Sequence, residues 1–371
     1  MTSTWRTEHE LVARRTSFVE RLQARQLDGA LVLGDSGRGW LTGYNAASHD
    51  TVPTAAVLVG PDRATLYTSA NNRDWAASLA PGVEVATWKR PWWPDLAAHI
   101  AATGWQRIGF EPDHLSVAGY EAIRAELPSG VTLTDIGDDL VALRAVKSPA
   151  ELDALRRASE ITDRAFTAAT TDLQPGITEG ELAWRLERAM RDLGAEEPGF
   201  PIIVAAGRHA ARPHHAPTEY PIAEGEPIII DMGARFDGYT ADLTRTIWIG
   251  DPDQRIRQLY PLVDRANEAA IAAIRAGVAG RAVDSAARDV IAAAGYGDAF
   301  IHGLGHGTGL EIHEAPSCGQ RSDDFLVSGN IVTVEPGIYL PDWGGIRIED
   351  LGVVTNDGFE VFSVAPRASL D

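Results

Sequence analysis

The stretch EPIIIDMGARFDGYTADLTRTIWIG, residues 226–250, decides how this chain is read. Two strand-like runs flank Phe236-Asp237-Gly238, and Asp-Gly between such runs marks a hairpin turn. Each run carries an acid. Asp231 follows Ile228, Ile229 and Ile230 directly, and Asp242 comes eleven residues later. Side chains alternate along a strand, so Thr240, Asp242 and Thr244 share a face. A carboxylate set into an apolar strand is costly unless it is paired or holds a metal.

The pattern recurs toward the C-terminus, in GNIVTVEPGIYL (329–340) and GIRIEDLGVVT (345–355). There Glu335 shares a face with Ile331 and Thr333, while Arg347 and Glu349 share one opposite Ile346 and Ile348. Helices precede each strand pair. KSPAELDALRRASEITDRAF (147–166) opens with Ser148 as N-cap, Pro149 as first helical residue and Glu151 as reciprocal member of a capping box. Thr178 and Glu181 repeat the device for a helix near 179–193, and two more helices are predicted near 253–276 and 281–294. Two helices followed by a strand pair thus occur twice between 147 and 355. Hairpins between runs of helices predict an α+β domain with antiparallel strands, not a wound parallel sheet.

Residues 1–137 read as a smaller α/β domain. A helix is predicted over 8–27, strands at 29–34, 54–60, 64–69 and 107–110, and helices near 94–103 and 114–127. TWKRPWWPDL (87–96) holds three Trp and two Pro and is expected to be a loop. Its Trp either pack inward or border a partner's cleft. The resulting division is 1–137, a linker at 138–150, and 151–371.

IHGLGHGTGLEIHE (301–314) gathers His302, His306 and His313 around Gly303, Gly305, Gly307 and Gly309. Glycine packs nothing, so this is a poor core element. It suits a place where backbone comes close to a bound group with imidazoles aimed at it. Four acids salt-bridged separately to Arg are the alternative. Four strand acids accompanied by a Gly-His cluster instead mark a metal site. Four carboxylates balance two divalent cations, and His306 completes the set. Oxygen-rich ligation with one nitrogen suits Mn²⁺, Co²⁺, Fe²⁺ or Zn²⁺ better than Ca²⁺. Pro213-His214-His215-Ala216-Pro217 supplies further imidazoles able to donate protons near such metals. His9, His49 and His99 are read as structural.

The whole chain narrows the choice. It has 371 residues, 52 acidic against 33 basic, and a net charge of −19, which argues against nucleic acid and against an anionic membrane. The first fifteen residues are polar and show no secretory signal, and no run is long and apolar enough to span a membrane. Cys318 is the single cysteine, which excludes an intrachain disulfide. A cytoplasmic location is the expectation.

Asp231, Asp242, His306, Glu335 and Glu349, in that order, resemble the pita-bread metallopeptidases: methionine aminopeptidase, aminopeptidase P, prolidase and their relatives. The stretches that carry the likeness are IIIDMGARFDGYTADLTRT, HGLGHGTGLEIHE, VTVEPGIY and GIRIEDLGVV. They span the second domain, and the α/β domain before it resembles the creatinase/prolidase branch. The resemblance implies a pita-bread fold with Asp231 on one metal, Asp242 and Glu349 bridging two, and His306 with Glu335 on the other. It implies His214 and His313 as proton donors, and His302, Tyr239 and Arg347 lining the substrate site. It implies a homodimer that cleaves Xaa-Pro bonds at peptide N-termini with two divalent metals, Mn most of all, then Co, Zn or Fe. Two features depart from the branch: Arg208-His209 before Pro213, and Ala315-Pro316-Ser317-Cys318 after His313-Glu314. The second lacks an Arg to grip a dipeptide's free carboxylate until Arg321, which leans toward an aminopeptidase rather than a dipeptidase. A hydrolase or lyase on a small non-peptide substrate, of the ectoine-derivative or dimethylsulfoniopropionate type, is the alternative on the same fold.

Overall fold

The computed structural model describes residues 5–46 and 53–370, so His49 lies outside the described residues. The chain divides into two compact units, residues 1–144 and 145–371. Among the described residues, no helix is long and apolar enough to cross a membrane.

The first unit is built on one six-stranded mixed sheet. Its strands are β1 (Gly29–Val32), β2 (Ala55–Gly60), β3 (Arg63–Thr68), β4 (Glu84–Thr87), β5 (Arg107–Phe110) and β6 (Thr132–Asp135). Their order is β4-β3-β2-β1-β5-β6, antiparallel at β1–β2 and β2–β3 and parallel elsewhere. β1 and β2 are buried along their whole length, which explains their unbroken apolar sequences. β4 and β6 are mostly half-buried or exposed edges with few apolar residues, and periodicity does not reveal them.

The segment 87–96 is not a loop throughout. Helix Trp92–Ala102 begins inside it. Pro94 is the third helical residue, where the missing N–H has no intrahelical partner to lose. Asp95 accepts a hydrogen bond from the Lys89 N–H at 3.0 Å and ties the turn to the helix. Trp88, Trp92 and Trp93 pack on this unit's own core of Leu31, Leu58, Leu96 and Ile100. Residues 138–150 are likewise no open linker, since helix Gly137–Ala145 fills most of them. His9 is exposed, and the His99 ring lies 4.6 Å from that of Tyr67.

The second unit repeats one plan. Helices Pro149–Thr170 and Glu179–Asp192 form the first pair, and both capping boxes are closed in both directions. They pack on Ile228, Ile230, Met232, Val204 and Leu243. Helices Gln254–Ala273 and Gly280–Ala293 form the second pair, over Val332, Val334, Ile338, Ile346 and Ile348. Each strand therefore gives one face to a helix pair. The other face carries Asp231 and Arg347, which line a cavity.

The four long strands expected here are each broken in two. The segments are Ile228–Met232 and Ala234–Phe236, Tyr239–Thr240 and Leu243–Ile247, Ile331–Val334 and Gly337–Leu340, and Gly344–Arg347 and Asp350–Val354. At the first break a Cβ on Gly233 would sit 1.7 Å from the Ala241 carbonyl oxygen, so only glycine fits. The other three breaks hold Asp242, Glu335 and Glu349. Backbone groups freed there bond across to other segments: the Glu335 N–H to Leu304 O, just before strand Gly305–Gly307, at 2.9 Å and the Glu349 N–H to Thr244 O at 3.0 Å.

Candidate metal centre

Three of the four acids thus sit where strands change partner, and this is what brings them together. Ligand oxygens of Asp231, Asp242 and Glu349 all lie within 4.8 Å of one another. His306 Nε2 is 3.4 Å from Glu335 Oε1 and 3.7 Å from Asp242 Oδ2. His306 lies in strand Gly305–Gly307, beside a register shift in its pairing with Glu314–Cys318. Its backbone N–H donates to Thr333 Oγ1 at 3.0 Å, and Thr333 Oγ1 donates to Glu335 at 3.2 Å.

The hydrogen-bond account of this cluster does not close. Asp231 Oδ1 and Glu349 Oε1 are buried and receive no donor. Asp231 Oδ2 accepts from Arg347 at 2.6 Å, and Glu349 Oε2 from Thr244 Oγ1 at 2.8 Å. Burial first, and repulsion among the acids second, raise Asp242 and Glu349 well above the ordinary carboxylate range. Burial raises Asp231 as well and pushes Glu335 up to about 7. Buried carboxylates this close together and short of donors are expensive. A cation removes the cost at its source, and the donor set fits one.

His306 is prepared as a neutral ligand. Burial lowers its pKa. Its Nδ1 faces the Gly307 carbonyl at 3.0 Å, and a carbonyl only accepts, so the proton is on Nδ1. That leaves the Nε2 lone pair toward the acids. Gly303 and Gly305 line the cavity, and Gly305 also lets a neighbouring strand close in. A Cβ on Gly305 would lie 2.1 Å from the Thr333 carbonyl oxygen. The close approach is between this strand and the strand leading to Glu335.

One cavity of about 510 Å³ contains all five candidate ligands, and His214, His302, His313 and Arg347 line it too. His306 and His313 meet edge to face, with ring centroids 4.4 Å apart. Burial, then the neighbouring His306 and His214, lower the His313 pKa. Burial pushes His302 down to about 4, so its ring is neutral. Tyr239 is absent from the cavity wall. It is 1% exposed and gives its hydroxyl to Glu151. It opens the two-residue strand Tyr239–Thr240 and points toward the helix beginning at Pro149, which corrects its reading as a substrate residue.

Arg347 reaches the cavity, but its N–H groups are engaged. They donate to Asp231 Oδ2, to Thr244 Oγ1 and the Tyr339 hydroxyl at 3.0 Å each, and to the Pro213 carbonyl at 3.3 Å. It orders the site more than it offers itself to a substrate. Tyr339 was not legible as part of this arrangement. It is buried, held up to about 12 by that burial, and 2.9 Å from His302 Nε2. Since His302 Nδ1 donates to Gly303 O at 2.7 Å, its Nε2 accepts from the tyrosine. The relay runs Arg347 to Tyr339 to His302. Its only sequence signal is the spacing of Tyr339, four residues after Glu335, with a hydroxyl in an otherwise apolar strand.

Comparison with known proteins places this geometry. The model of metallopeptidase family M24 matches residues 153–356, and that of the Creatinase/Prolidase N-terminal domain matches residues 14–146. This chain belongs to metallopeptidase family M24. It is 40% identical over 254 residues to an Xaa-Pro dipeptidase of Lactobacillus helveticus, covering 68% of this chain and 69% of that one. Among solved structures, an Xaa-Pro dipeptidase from Bacillus anthracis superposes with a TM-score of 0.91 at 34% identity, covering 96% and 99% of the two chains. An X-Pro aminopeptidase from Thermotoga maritima superposes with a TM-score of 0.88 at 30% identity, covering 95% and 98%. The pita-bread fold and the creatinase-like first unit follow from these matches. As an M24 member, the chain is a metal-dependent peptidase.

Proposed function

We propose that this M24 peptidase hydrolyses the Xaa-Pro bond at peptide N-termini, with two divalent cations held by Asp231, Asp242, His306, Glu335 and Glu349. The observation that carries the reading is the convergence of these five side chains on one cavity, with Asp231 Oδ1 and Glu349 Oε1 buried and lacking donors. The names of the relatives support the substrate class. Four carboxylates and one imidazole favour Mn²⁺, with Co²⁺, Zn²⁺ or Fe²⁺ as the other candidates. Bound there, divalent cations polarise a carbonyl and make water more acidic.

The chain's own residues do the rest. His214 and His313 stand in the cavity wall with solvent-exposed side chains, suited to give a proton to the developing oxyanion and to the departing proline nitrogen. That nitrogen carries no hydrogen in the peptide and must gain one as the bond breaks. His302, kept neutral and fixed by Tyr339, lines the substrate side. A second cleft of about 670 Å³ shares His302, Gly303 and Ser317 with the first and extends to Arg321. It offers room beyond the proline, which supports aminopeptidase action on peptides longer than a dipeptide. We also infer a homodimer working in the cytoplasm.

Metal analysis combined with an Xaa-Pro peptide panel of increasing length tests the proposal. The expected result is about two transition-metal equivalents per chain and cleavage of tripeptides and longer substrates. Activity without metal removes the reading, and activity on dipeptides alone makes the protein a strict dipeptidase. Light scattering checks the dimer.

A further inference from the structure

A second cluster of acid and imidazole lies outside the cavity. Glu179, the first residue of helix Glu179–Asp192, is 0% exposed. Its carboxylate accepts five hydrogen bonds. Oε1 takes the Ala206 backbone N–H at 2.9 Å and His209 Nδ1–H at 3.0 Å. Oε2 takes His215 Nε2–H and the Thr218 N–H at 3.0 Å each, and the Thr218 hydroxyl at 2.6 Å. All five donors belong to one segment, 206–218. That segment carries Pro213 and His214 into the cavity wall.

The grip is selective. Residues 214 and 215 are both histidines, and they face opposite ways. His215 is 7% exposed with its ring stacked 4.4 Å from His209, whereas His214 is exposed and lines the cavity. On the far side, the Pro213 carbonyl accepts from Arg347. The loop is therefore held at both flanks of His214 and not at His214 itself.

We propose that Glu179 is a positioning residue: by anchoring His215 inward it determines which of two adjacent histidines is presented to the metal centre. This rests on the reading of His214 as a proton donor. A third metal held by Glu179, His209 and His215 is the competing use of the same side chains, whose ligand atoms lie within 4.8 Å of one another. The carboxylate's filled hydrogen-bond account speaks against it. Burial alone would raise the Glu179 pKa, but the bonds from Thr218, Ala206, His215 and His209 outweigh it and hold it below the ordinary value.

The test is a double-mutant cycle on the metal-loaded enzyme with an Xaa-Pro peptide. Glu179→Gln should lower kcat about tenfold, the scale of a lost charge-assisted hydrogen bond, with metal content and KM little changed. Combined with His214→Ala it should add nothing further, because its effect passes through His214. His215→Gln should behave as Glu179→Gln does, and it replaces that variant should the latter fail to fold. Losses that multiply in the double mutant overturn the proposal, since a merely structural role acts in both backgrounds. So does a metal equivalent lost from Glu179→Gln or His215→Gln. A kinetically silent His214→Ala removes the reading of His214, and the proposal with it.

Discussion

The cavity cluster and the Glu179 cluster are made of the same side-chain types, carboxylate and imidazole, and differ in their hydrogen-bond balance. At the cavity, four acids share few donors, two oxygens have none, and burial lifts every one of the four pKa values. Around Glu179 one acid receives five donors and its pKa falls although it is buried. Burial by itself therefore does not distinguish a ligand from an anchor. The count of donors does, because a buried carboxylate left short of them needs positive charge from elsewhere.

Removing a ligand should produce the largest effect. Glu335→Ala is expected to lower kcat/KM by about 10³-fold or more, the scale of several kcal/mol of lost charge stabilisation. The fold should survive, since Val332 and Val334 keep that strand on the helix pair. Circular dichroism with metal analysis checks both halves. A variant that keeps full activity breaks the contrast at its stronger end.

His214→Ala and His313→Ala come next, each lowering kcat by about 10²-fold while retaining the metals. Loss of metal from either variant in elemental analysis would make that imidazole a ligand.

The two clusters should also answer pH in opposite senses. Glu335 is pushed up to about 7 from an ordinary 4.5. In that window the folded metal-free chain binds more protons than the unfolded chain, so its stability declines as pH rises from 4.5 toward 7. Divalent metal should restore it, by about 2.7 kcal/mol at a hundredfold excess over Kd, and more at pH 7.5 than at pH 5. Thermal melts of chelated and metal-loaded protein measure this, and a metal shift equal at both pH values contradicts it. Glu179 works the other way: its contribution is present above its ordinary pKa and is lost as pH falls through the lowered one.

The smallest effect is expected at the satisfied cluster. Thr218→Val removes one of five donors to Glu179 and should cost about 1 kcal/mol in urea denaturation. A loss several times larger would mean that the carboxylate has no reserve and that the two clusters differ less than their bonds suggest.

Much of this was legible in residue order. Ser148 with Glu151 and Thr178 with Glu181 announce their helices because a cap needs only groups three residues apart. Asp231, Asp242, Glu335 and Glu349 stand out because carboxylates are costly in strand-like runs, and His306 because glycines surround it. The breaks that place Asp242, Glu335 and Glu349 were not legible, since they depend on which strand the freed backbone bonds next. Tyr239 carries the same local signals as a cavity residue, and only its bond to Glu151 shows that it is turned elsewhere.

Sequence by itself determined the four long helices of the second unit, the Asp237-Gly238 hairpin, the family and the set of acids and imidazoles, because these rest on period, capping, turn chemistry and chemical type. Tertiary structure decided which acids go unsatisfied, which of His214 and His215 faces the cavity, and that Arg347 orders the site. Those outcomes depend on partners far apart in the chain, 36 residues between Glu179 and His215 and 116 between Asp231 and Arg347. No local pattern specifies such a pair. It exists only once the strands have crossed and the loop has closed over them.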